Sequence, residues 1–139
     1  MGEQQPAVEA LVPHRKPMLL LERVERVGDG ELEGVGRVEG SHPLCSDGRA
    51  PIVLGLELAA QAAAAFEGLK TGDLTGAGPT VGYLVGIPFL PADRLLSARV
   101  RPVGSAGGLR IFDVRLVDLD SGEPVLEATL TTYSPGEAR

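Results

Sequence analysis

Apolar and polar positions follow one another along this chain in an order that predicts two strands, one buried helix and four further strands. Met18 to Val27 is apolar but interrupted by Glu22, Arg23, Glu25 and Arg26, the mark of a half-buried strand. Gly28-Asp29-Gly30 is a turn signal. Beyond it Glu31, Glu33, Arg37 and Glu39 fall on one parity, and Leu32, Gly34, Gly36 and Val38 on the other. That alternation predicts a second strand, hairpinned to the first. Glycines on the apolar parity predict that something packs very close against them. Gly40 to Pro51 has no period and reads as a shaped loop. From Leu54 to Phe66 the only polar side chains are Glu57 and Gln61, and six of the seven positions from Ala59 to Ala65 are alanine. The whole stretch Ile52 to Lys70 is therefore expected to be a helix, apolar nearly all round and enclosed by other structure. A Gly-rich connection from Thr71 to Thr80 leads to four apolar runs: Val81 to Ile87, Leu95 to Val103, Leu109 to Leu119 and Val125 to Tyr133. Turns at Gly104–Gly108 and Asp120–Glu123 join the last three, which predicts an antiparallel meander.

One long helix with about five to six antiparallel strands is an α+β layout. A sheet curled around the helix buries it best, yet leaves an open edge or apolar face, so pairing with a second subunit is expected. A chain of 139 residues holds one domain, assigned to 1–139, with residues 1–10 expected to be a loose leader and a helix start expected near Val8. Gly 19 and Pro 11 carry no collagen period and mark turns instead, and with aromatics at 4% the core must be aliphatic. A net charge of -6 makes the chain a poor non-specific binder of nucleic acid or anionic membrane. A single cysteine excludes an intrachain disulfide, and two histidines exclude a three-histidine zinc site, so no metal is expected. The acidic, polar opening MGEQQPAVEA does not read as a secretory signal, and no uninterrupted apolar run is long enough to span a membrane. The expected location is the cytoplasm.

Glu57 is the sharpest chemical signal. A carboxylate in an otherwise apolar helix costs several kcal/mol to bury unless it is paired, hydrogen-bonded or neutral, and a neutral carboxyl is a general acid. Gln61, one turn on, shares its face and can orient it. The alternative is that this face touches solvent or a partner. His42, in the loop before the helix, can act as a base near neutral pH or be an ordinary loop histidine. One base and one acid are what β-elimination of water needs. His14, between Pro13 and Arg15-Lys16, reads as structural, covering or capping the base of the helix. Cys45 reads as an incidental thiol. Gly55, near the helix start, either offers a backbone amide to a carbonyl oxygen or permits close packing. Arg94, Arg99 and Arg101 are locally basic and either meet a phosphopantetheine arm or acidic carrier, or form a solvated strand face.

Three stretches carry a resemblance. Leu11-Val12-Pro13-His14-Arg15-Lys16-Pro17-Met18-Leu19-Leu20-Leu21-Glu22-Arg23-Val24, Pro51-Ile52-Val53-Leu54-Gly55-Leu56-Glu57-Leu58-Ala59-Ala60-Gln61 and Val81-Gly82-Tyr83-Leu84-Val85-Gly86 are similar to motifs of the hotdog-fold β-hydroxyacyl-(acyl carrier protein) dehydratases. They most resemble the branch found with aryl polyene and xanthomonadin pigment clusters. The resemblance implies dehydration of 3-hydroxyacyl thioesters, carried on acyl carrier protein, to trans-2-enoyl thioesters in fatty-acid-like or polyene biosynthesis, with no metal or redox cofactor. It implies His42 as base and Glu57 as acid, contributed by different subunits of a homodimer or of a heterodimer with another hotdog subunit. It also implies Gly55 at the thioester carbonyl and Gln61 steadying the helix. The loop departs from the family's His-Phe-Pro-Gly, reading His42-Pro43-Leu44-Cys45, and its gap to Glu57 is about one residue longer, so a reshaped loop is expected. A hotdog thioesterase using Glu57 to activate water, and a non-catalytic partner of another hotdog dehydratase, are the alternatives.

Overall fold

The computed structural model describes residues 7–12, 14–28, 30–71 and 80–133. The first six residues of the expected leader and residues 72–79 of the Gly-rich connection lie outside them. A 3-10 turn over Val8–Ala10 buries Val8 against the core. Strands β1 (Leu21–Gly28) and β2 (Glu31–Gly36) form the expected hairpin, followed by the short β3 (Arg49–Pro51), helix α1 (Ile52–Thr71), β4 (Thr80–Gly86), the short β5 (Phe89–Pro91), β6 (Leu96–Ala106), β7 (Leu109–Asp118) and β8 (Pro124–Tyr133). Six strands make one antiparallel sheet in the order β1-β2-β6-β7-β8-β4, and β3 pairs with β5 beside it. The sheet lays its apolar face over α1, which packs on β6, β2, β1 and β7. This is the hotdog fold, an α+β arrangement around one central helix.

The meander holds for β6, β7 and β8. The run at 81–87 leaves it and returns to the far edge, where β4 pairs with β8. The hairpin between β6 and β7 is tighter than expected, because pairing continues through Gly104↔Ile111 and Ala106↔Leu109. Only Gly107 and Gly108 turn, with Gly107 at φ +61, a left-handed conformation that suits glycine. Pro102 is tolerated within β6 because β2 pairs with β6 only as far as Val100, so one side of the strand there needs no ladder N–H.

Close approach at the glycines follows the expectation. A Cβ on Gly36 would lie 2.2 Å from the Leu20 carbonyl oxygen and 2.8 Å from Leu58 of α1, and one on Gly34 would lie 2.7 Å from Leu21. Alanines complete the fit from the other side, with Ala59, Ala62, Ala63 and Ala65 all fully buried. The 18-residue stretch Ile52–Leu69 is apolar and long enough to cross a membrane by composition, but 78% of it is buried inside the protein, as the core helix of a folded domain is.

Candidate active site

Glu57 lies in the first half of α1 and is not desolvated as the apolar run around it suggests: its side chain is 22% exposed and it is paired. His14 Nε2 sits 3.0 Å from Glu57 Oε1. Gln61 Nε2 donates to the same oxygen at 3.2 Å. Among the described residues, Oε2 has no partner. The two nitrogens converge from different elements, one from α1 itself and one from the segment ahead of β1.

Gln61 is fully buried and fully used. Its Oε1 accepts from the backbone N–H groups of Leu20 at 2.8 Å and Leu21 at 3.0 Å. Its Nε2 donates to the Met18 carbonyl at 2.6 Å as well as to Glu57. These bonds settle which end of the amide is nitrogen. They also help set the start of β1 at Leu21 rather than at Met18: the Leu20 N–H and the Met18 carbonyl are spent on Gln61, and the Met18 and Leu19 N–H groups on the Arg15 carbonyl. Gln61 thus ties the 18–21 segment to α1 and aims an N–H at the acid in one arrangement.

His42 is buried, in a loop shaped by hydrogen bonds from His42 N to Glu39 O and from Cys45 N to His42 O. Its Nδ1 accepts the Leu44 N–H at 3.1 Å, while Nε2 is closed to solvent and, among the described residues, has no hydrogen-bond partner. An Nδ1 that accepts leaves the neutral ring's proton on Nε2. The reshaped loop therefore presents an N–H donor, not a free lone pair. His42 lines a cleft of about 310 Å³ with Lys16, Pro17, Leu19, Leu20 and Pro43. The segment that bonds Gln61 therefore also borders His42, but no hydrogen bond joins His42 to Glu57 among the described residues.

The remaining expectations separate. Helix α1 starts at Ile52, so Gly55 is its fourth residue, and the amides without an intrahelical partner are those of residues 52–54. Ile52 N reaches Pro88 O at 3.3 Å. Gly55 takes the packing role, since a Cβ there would lie 2.7 Å from Leu90 and 3.0 Å from Leu116. Gly55→Ala is expected to lower stability by about 1–2 kcal/mol in denaturant unfolding, overpacking outweighing the gain in helix propensity. Arg94 is held by Asp118, its Nη2 3.0 Å from Oδ1, and this pairing keeps the Asp118 carboxyl far below the usual range. Arg99 and Arg101 stand apart from it, lining a shallow groove on the outer sheet face with Glu31, Asp113, Arg115 and Glu127. Burial and nearby Asp93 push the Cys45 thiol up, away from a nucleophile's range.

His14 is the site residue that sequence reading placed outside the chemistry. Its contact does fall at α1, near the helix region it was expected to cover. No local spacing could reveal it, because the bond to Glu57 depends on how the chain ahead of β1 crosses the helix.

Comparisons with known proteins agree with this architecture. One chain of the dehydratase heterocomplex ApeI:P from Xenorhabdus doucetiae superposes with a TM-score of 0.77 at 21% identity, covering 95% of this chain and 93% of that one. A mutant thioesterase PA1618 from Pseudomonas aeruginosa follows at 0.66 and 20% identity over 94% of both chains. A mutant phenylacetic acid degradation protein PaaI from Thermus thermophilus gives 0.60 and 22% identity over 81% of this chain and 91% of that one. At these identities the structures share a fold, and no curated protein sequence matches. The family model of the ApeP dehydratases matches residues 6–139, nearly the whole chain, and with it the protein belongs to the ApeP-like family and is a dehydratase, a hydro-lyase.

Proposed function

We propose that this dehydratase removes water from 3-hydroxyacyl thioesters carried on the phosphopantetheine of an acyl carrier protein, giving trans-2-enoyl thioesters for aryl-polyene or related fatty-acid-like synthesis in the cytoplasm. The observation that carries the reading is the Glu57 carboxyl: one oxygen held by His14 and Gln61, the other without a partner among the described residues, on a helix that is mostly apolar. Glu57 gives its proton to the β-hydroxyl as the Cβ–O bond breaks and the electron pair leaves with water. A base takes the α-proton, and the C–H electrons become the new Cα=Cβ bond. Amides of the first turn of α1, at 53 and 54, receive the thioester carbonyl. On the outer face the Arg99–Arg101 stretch, rather than Arg94, meets the carrier.

Base and acid come from two subunits. Exposed Val53, Ile87 and Phe89 crowd the start of α1, where Phe89 pairs with Pro51, and such an apolar surface supports a second hotdog subunit there. In a homodimer His42 is the base, and the loop must release Nδ1 from Leu44 before Nε2 can accept a proton. That closed geometry favours a second arrangement, in which this chain pairs with a different hotdog subunit and supplies Glu57 to a site whose histidine is the partner's.

The test follows enoyl-thioester formation from 3-hydroxyacyl thioesters by the chain alone and mixed with a second hotdog dehydratase subunit. Trans-2-enoyl product is expected; hydrolysis to free acid without enoyl product would instead make this a thioesterase. His42→Ala divides the two arrangements. A loss of about a hundredfold marks His42 as the base, and a rate near wild type in the mixed complex assigns the base to the partner.

A further inference from the structure

We propose that His14 is a positioning residue for the acid: with Gln61 it saturates Glu57 Oε1 and so fixes the transferable proton on Oε2. This rests on the reading of Glu57 as the group that protonates the leaving hydroxyl. A neutral carboxyl carries its hydrogen on one oxygen only. Oε1 already receives the Gln61 N–H at 3.2 Å, and His14 Nε2 lies 3.0 Å from it, placed to donate when that nitrogen carries the ring proton. A hydrogen on that oxygen would point into one of these donors. The acid proton therefore belongs on Oε2, the oxygen with no protein partner among the described residues. Once the proton has left, the same two donors meet the charge that develops on the carboxylate, and they do so without moving.

The histidine is built for this task. Its Nε2 is in contact with Glu57 Oε1, while Nδ1 is buried and, among the described residues, has no partner. The backbone that carries it is pinned by Arg15, whose guanidinium donates to the carbonyls of Glu9 at 3.2 Å, Val12 at 3.1 Å and His14 itself at 2.6 Å. Gln61 holds the same segment from the other side at Met18, Leu20 and Leu21. The imidazole thus approaches α1 from a chain clamped on both flanks, which a residue serving only to cover the helix would not need.

Steady-state kinetics of wild type, His14→Ala and His14→Gln, in the assembly that turns over, test the assignment. A glutamine Nε2 can donate from about where the imidazole Nε2 stands, whereas alanine cannot. His14→Ala is expected to lower kcat roughly tenfold to a hundredfold with KM within about threefold, as loss of a preorganised donor does. His14→Gln is expected to recover most of that loss. Were His14→Ala to fold poorly, His14→Leu, which keeps bulk against the helix without a donor, replaces it with the same expected fall. A kcat within twofold of wild type in His14→Ala, equal losses in the donor and non-donor variants, or a change confined to KM would overturn the proposal. Wild-type protein without dehydratase turnover would overturn the reading of Glu57 as well, so the two failures are distinct.

Discussion

Glu57→Gln lowers the rate of enoyl-thioester formation on the order of a thousandfold while leaving the fold intact, the largest effect on activity expected of any substitution in this chain. The replacement is nearly isosteric. Its amide oxygen can take the place of Oε1 and keep both the Gln61 hydrogen bond and the His14 contact. Its nitrogen then occupies the place of Oε2 and cannot give up a proton to a leaving hydroxyl. Geometry is kept and chemistry lost, so circular dichroism and the melting temperature should match wild type. The prediction holds in either proposed subunit arrangement, because both assign the acid to Glu57. A variant that keeps more than a tenth of wild-type turnover would remove Glu57 from the mechanism.

What the sequence discloses about this site divides along the distance over which a bond acts. Glu57 and Gln61 are one helical turn apart, and their juxtaposition is legible because the helix dictates it. Close approach at Gly34, Gly36 and Gly55 is legible too, since glycine on an apolar face has few other uses. The His14 bond is different in kind: its two ends lie far apart in the chain, and only the path of the segment before β1 brings them together. Strand order shows the same limit. The runs that become β4, β6, β7 and β8 are each visible locally, but nothing local says that β4 crosses to the far side of β8. The pair β3 and β5 is invisible for another reason, being three residues each and ending in proline, too short to show a period. At His42 the residue type was informative and its state was not, because the Leu44 N–H that fixes its tautomer is a backbone group with no signature in the side chains.

Gln61→Met should be the most damaging conservative change in the core. Methionine matches glutamine in length and fills the space, so no cavity term enters. What is lost is every polar bond of a fully buried amide. The N–H groups of Leu20 and Leu21 and the carbonyl of Met18 lose the acceptor and donor they use. They cannot turn to water without pulling the 18–21 segment off the helix. Each unsatisfied buried group costs about 1–3 kcal/mol, so the three together should lower stability by roughly 3–5 kcal/mol. In a domain of this size that corresponds to a fall in melting temperature of roughly 10 °C or more. Activity should fall further than stability alone requires, because the strap that carries His14 to Glu57 loosens with the same bonds. Thermal unfolding beside turnover, measured well below the variant's melting temperature, separates the two losses. A Gln61→Met protein as stable as wild type would show that the segment before β1 is held by its own packing, and that Gln61 serves the acid alone.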